Sequence, residues 1–94
     1  EPSRFYNWYA YSEVLMLSGE YEDAITVLIA ATKMHNRAEL FYQLSNCYLQ
    51  LNNQKKGREA LSTALESDPQ LLEDMQQKYP FLKDEVDKVK AKKK

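Results

Sequence analysis

The stretch FYQLSNCYLQLNNQKKGREALSTALESDP, residues 41–69, decides the fold. Phe41, Leu44, Ser45 and Tyr48 stand at i, i+3, i+4 and i+7, which places them on one helical face. Asn52-Asn53 then breaks the pattern, and Asn is one of the few residues that accept the left-handed conformation in which helices end. A second helical run follows, with Gly57, Leu61 and Ala64 on one face in the order small, large, small. It closes on Asp68-Pro69, where Asp68 reads as an N-cap and Pro69 as the first residue of another helix. The stretch therefore predicts a helical hairpin whose two arms approach closely at Gly57 and Ala64, with Phe41 filling the space beside them.

The pattern occurs again 33 residues upstream. Sliding the chain by that interval lays Trp8 on Phe41, Tyr9 on Tyr42, Tyr11 on Leu44, Ser12 on Ser45, Leu15 on Tyr48 and Met16 on Leu49. The register continues with Ala24 on Gly57, Leu28 on Leu61, Ala31 on Ala64 and Asn36 on Pro69. The break falls at Gly19, and Glu20, Glu22 and Asp23 follow it, where acidic side chains suit the dipole at the start of the next helix. Large matches large and small matches small, so the two hairpins are copies of one unit.

These residues resemble the tetratricopeptide repeat, a helix-turn-helix unit of roughly 34 residues with a Trp-Leu-Gly-Tyr pattern followed by Ala, Phe, Ala and Pro. Trp8, Tyr11, Ser12, Leu15, Gly19, Tyr21, Ala24, Leu28 and Ala31 occupy the family positions of the first unit. Phe41, Leu44, Ser45, Tyr48, Asn52, Gln54, Gly57, Leu61, Ala64 and Pro69 occupy those of the second. Ser12 and Ser45 replace the usual Gly, Gln54 replaces a Tyr, and the first unit ends KMHNRAE without its Pro and one residue short. The resemblance covers about residues 5–71 and implies an all-α fold, a right-handed solenoid of two helical hairpins, with repeat 1 at about 5–37 and repeat 2 at about 38–71.

No third copy follows, because a further shift of 34 residues puts Lys78 on the Leu44 position and Pro80 in mid-helix. Instead Leu71, Leu72, Met75 and Tyr79 form an apolar stripe, which predicts a capping helix over about 69–79 that completes a domain spanning 1–79. Residues 80–94 read as a short amphipathic helix, with Leu82, Val86 and Val89 on its apolar side, and a fraying Lys-rich tail. The first helix differs: Phe5, Tyr6, Trp8, Tyr9, Tyr11, Leu15, Met16 and Leu17 surround it on nearly every side, more than one partner helix can cover. That pattern is expected of the C-terminal segment of a longer repeat array, or of a surface that self-associates in isolation.

Composition excludes more than it identifies. Of 94 residues, 44% are apolar and 29% charged, with two Gly and three Pro, the mix of a helix-rich soluble chain of about one small domain. No apolar run approaches the roughly 18 residues of a membrane span, so no membrane insertion is expected. The net charge is −1, but the last twelve residues hold six Lys against three acids, which leaves −4 on the rest. Asp84, Glu85 and Asp87 interrupt that basic end and no aromatic residue is interleaved after Phe81, so it reads as a solvated tail and no nucleic acid is expected as a partner. Cys47 stands alone and aligns with Val14, so it reads as a structural thiol compatible with a reducing compartment, the cytoplasm before others. His35, the single histidine, falls in an inter-helix connection and reads as a solvated loop residue. There is no phosphate loop, metal-ligand spacing or catalytic constellation, and the sequence predicts neither an enzyme nor a cofactor.

The resemblance also implies where a partner binds. The first helix of each pair in this family lines a concave face that receives a protein, as an extended peptide or a helix. The corresponding positions are Tyr6, Tyr9, Glu13, Met16 and Leu17 in the first unit and Glu39, Tyr42, Asn46, Leu49 and Gln50 in the second. Tyrosines give this groove contact area at low entropic cost. The family's carboxylate clamp needs Lys, Arg and Asn here, whereas Tyr9, Glu13 and Glu39 occupy the positions and Asn46 alone is suitable, so binding of acidic chaperone tails is not expected. Termination of a solenoid, or homodimerisation through the first helix, is the alternative role.

Overall fold

The computed structural model describes residues 2–92. Six helices follow one another: α1 (Pro2–Leu17), α2 (Tyr21–Met34), α3 (Ala38–Gln50), α4 (Gln54–Ser67), α5 (Leu72–Lys78) and α6 (Phe81–Lys92), with a 3-10 turn at Pro69–Leu71 before α5. The described residues contain no strand. Short connections make α1 with α2, and α3 with α4, helical hairpins, and α2 packs on α3 to stack one hairpin on the other.

Both hairpin turns have the same geometry for the same reason. Gly19 has φ +77° and Asn52 has φ +64°, the two residues for which the left-handed region costs least. Around Gly19, the Glu20 N–H donates to Leu15 O at 2.9 Å and the Gly19 N–H to Met16 O at 3.0 Å. Around Asn52, Asn53 donates to Tyr48 O at 2.8 Å and Asn52 to Leu49 O at 3.0 Å, so the last carbonyls of α1 and α3 are satisfied by one repeated motif. Asn53 then caps α4, its side chain accepting the Lys56 N–H. Asp68 and Pro69 behave as their sequence predicts: Asp68 Oδ1 accepts the Gln70 N–H at 3.1 Å, and Pro69 opens the 3-10 turn.

The core is built on the small positions. Ala24, Leu28 and Ala31 of α2 and Leu61 and Ala64 of α4 are fully buried, and Gly57 lies on the same face of α4. A Cβ at Gly57 would come within 2.6 Å of Leu49 Cδ2, so α3 and α4 are closer there than a larger residue allows without Leu49 moving. The close approach is fixed by the buried Ser45 hydroxyl, which donates to Gly57 O at 2.7 Å. Ser12, at the equivalent position of α1, instead donates to Trp8 O within its own helix.

The C-terminal part differs in proportion from the sequence expectation. The expected cap is split into the 3-10 turn and the seven-residue α5, while α6 is the longer helix and packs on both α3 and α4 through buried Leu82, Val86 and Val89. Arg58 Nε of α4 meets Glu85 Oε1 of α6 at 2.7 Å, and the Glu85 side chain is only 6% exposed. Lys93 and Lys94, the last of the expected Lys-rich tail, lie outside the described residues. At the other end Tyr6, Tyr11, Val14 and Leu17 of α1 are exposed, Leu17 to 82%.

Candidate functional site

The residues expected to line the groove separate into three environments. Tyr6 and Tyr9 stack at 6.2 Å on the first two turns of α1, Tyr6 in solvent and Tyr9 half-buried. Glu13, Met16 and Leu17 of α1 face Asn46 and Gln50 of α3 across a cleft of about 180 Å³. Asn46 holds that cleft together, its amide donating to Met16 Sδ while its oxygen accepts from Gln50 Nε2, both at 3.5 Å. Tyr42 and Leu49 belong to the core: Tyr42 is fully buried and donates to Asp68 O at 2.8 Å, and Leu49 borders α6 beside Phe81 and Glu85. Glu39 stands apart, 3.5 Å from Arg37.

A further side of the cleft is the chain's own C-terminal part. Lys78, Tyr79 and Pro80, the junction of α5 and α6, line it opposite α1. Lys78 Nζ sits 3.0 Å from Glu13 Oε2, 3.4 Å from Tyr9 Oη and 5.2 Å from the Tyr9 ring centre. Burial works against its charge, but the hydrogen bonds to Glu13 and Tyr9 outweigh it and hold the ammonium above its ordinary pKa. Tyr79 is buried and its phenol oxygen accepts from Gln43 Nε2 at 3.2 Å; the same nitrogen reaches Tyr9 O at 3.2 Å. Burial pushes the Tyr79 phenol well above its ordinary value.

Gln43, Lys78 and Tyr79 are the site residues that the sequence did not single out. Gln43 lies beside Tyr42 in the helix whose groove positions were assigned, so its register was the available signal. Lys78 and Tyr79 carry no such signal, since their partners, Glu13 and Tyr9 for Lys78 and Gln43 for Tyr79, are in other helices far along the chain.

The other reactive side chains are structural. Cys47 is fully buried, and burial pushes its thiol up to about 12. His35 is less solvated than its loop position suggests: it ends α2, its N–H donates to Ala31 O at 2.8 Å, and its ring stands edge-on to Phe5 at 6.3 Å. Arg37 covers Phe5 from another side, 4.0 Å from the ring centre. Among the described residues there is no group of side chains suited to hold a metal ion, and no helix long and apolar enough to cross a membrane.

Cys47 and Tyr42 give a pH prediction. Their folded-state values are raised, from 9.0 and 10.0 respectively to about 12, by burial first and for Tyr42 also by the Asp68 carboxylate. A raised value means that the folded state holds the proton more tightly. The stabilisation is complete below pH 9 and is lost as pH rises towards 12. Ellipticity at 222 nm is expected to fall in that window, with thiol labelling of Cys47 rising in parallel; fast labelling of the intact fold at pH 8 contradicts the assignment.

The comparisons agree with this geometry. The family model described as Tetratricopeptide repeat matches residues 38–71, which are α3, α4 and the 3-10 turn. No curated protein and no solved structure gives a significant match. Tetratricopeptide repeats generally mediate protein–protein interaction and are generally not catalytic. The second hairpin, closed by Asp68 and Pro69, is a tetratricopeptide repeat, and the first hairpin, stacked on it with the same turn geometry, makes the described residues an all-α, helical-hairpin arrangement consistent with such repeats.

Proposed function

We propose that the chain is a non-catalytic protein-interaction module that receives a peptide or partner helix on the face shared by α1 and α3. The observation that carries this reading is the cleft between Glu13, Met16 and Leu17 on one side and Asn46 and Gln50 on the other. It combines apolar walls with a carboxylate and two amides, a set able to bury a side chain and orient a backbone. Tyr6 and Tyr9 extend the face towards the start of α1.

The test uses a displayed library of random peptides selected on the full chain. Leu17→Ser and Tyr6→Ser remove exposed side chains, so the fold is retained. Selected peptides are expected to bind the double variant at least tenfold more weakly. Equal binding by both proteins would remove the face from consideration.

A further inference from the structure

Resting on that reading, the occupant of the face already present in the structure defines the chemistry of an incoming partner. Lys78 and Tyr79 engage different elements of the same surface: the ammonium meets Glu13 Oε2 at 3.0 Å and Tyr9 Oη at 3.4 Å, and the phenol meets Gln43 Nε2 at 3.2 Å. All three receiving residues belong to α1 and α3. A cation followed at once by a phenol is therefore what occupies this surface in the folded chain.

The closure is not optimised for permanence. Lys78 and Glu13 are 41% and 28% exposed, so water and salt screen their attraction. Gln43 is fully buried, yet its Oε1 meets no donor among the described residues, an unfavourable state for a buried acceptor. The seven-residue α5 is too short to persist as a helix away from its contacts. By contrast, α6 is held independently by Leu82, Val86, Val89 and the Arg58–Glu85 pair, so α5 and its junction, anchored by the buried Met75 and Tyr79, can open without releasing α6. A displacing peptide also brings backbone N–H groups, which Gln43 Oε1 can accept.

We propose that the α1–α3 face is a receptor for a Lys-Tyr segment, filled in cis by Lys78 and Tyr79, and that a partner protein enters by exchanging with them. The partner presents its cation to Glu13 and Tyr9 and the phenol of the next residue to Gln43. The chain's own segment sets the threshold, because a partner binds only with the affinity left after displacing it.

The probe is a fluorescent peptide of residues 76–81, QQKYPF, added in trans to the full chain. It is expected to bind the Lys78→Ala, Tyr79→Ser variant at least tenfold more tightly than the unaltered protein, and a peptide with Glu and Phe in place of Lys and Tyr is expected to lose that binding. Equal affinities, or indifference to the peptide change, overturn the proposal. Hydrogen exchange reads the closure without any ligand: amides of residues 72–80 are expected to exchange at least tenfold faster than those in the middle of α3, and faster still in Glu13→Gln, which retains the core. If residues 72–80 are as protected as α3, exchange in cis is overturned even where a library peptide binds the face. If they open but no peptide of any sequence binds, the interaction reading itself fails and this proposal with it.

Discussion

Leu61→Ala is expected to destabilise the fold by about 3 kcal/mol, a typical cost of truncating a fully buried Leu. Leu61 stands between Gly57 and Ala64 on the face that α4 turns to the core, and these two neighbours have no side-chain length with which to fill the space. The backbones of α3 and α4 are held together by Ser45 and Gly57, so the hairpin cannot collapse around the void. In a domain of this size the loss corresponds to a fall of about 15 °C in melting temperature. Leu17→Ala, on a residue 82% exposed, is the control and is expected to change stability by less than about 0.5 kcal/mol. Thermal melts followed by circular dichroism decide it. Similar losses in both variants would mean that the core is not where Leu61 places it.

Arg58→Met is expected to cost about 2 kcal/mol, below the roughly 3–5 kcal/mol of breaking a fully buried ion pair, because Arg58 is partly exposed. The Glu85 carboxylate is 6% exposed, and without the guanidinium at 2.7 Å its remaining cation is Lys88 at 3.7 Å, which is largely in solvent. Lys88 and water reaching the partly exposed Arg58 site keep the cost from being higher. The double variant Arg58→Met, Glu85→Leu removes both charges and is expected to recover most of the loss, because an apolar pair of similar volume packs without desolvating an ion. Chemical denaturation of the two single variants and the double variant gives the coupling directly. A double variant as unstable as the sum of the singles would show that α6 is held by something other than this pair.

Local chemistry explains which features the sequence revealed. Gly19 and Asn52 were legible as helix ends because few residues tolerate positive φ, and Ala24, Ala31, Gly57 and Ala64 were legible as close approaches because their small size recurs at helical spacing. Asp68-Pro69 carries its own capping code. The stripe of Leu71, Leu72, Met75 and Tyr79 announced a buried face, but periodicity does not say what covers that face. Contacts such as Lys78 with Glu13, or Gln43 with Tyr79, leave no periodic trace, since each partner looks like an ordinary residue of its own helix. Tyr42, Asn46 and Leu49 were assigned to a groove by position in the repeat. Tyr42 instead bonds to Asp68 O and Leu49 borders α6, a path that the repeat pattern does not encode.

In a linear stack of repeats each unit communicates only with its neighbours, and the ends melt independently. The hydrogen bond between Lys78 and Tyr9 spans 69 positions and joins the fifth helix to the first, with Gln43 of the third touching both. The chain of contacts is thereby closed into a ring. If α5 leaves, the packing of α2 and α1 on α3 still couples the two hairpins, so the ring can open without separating them.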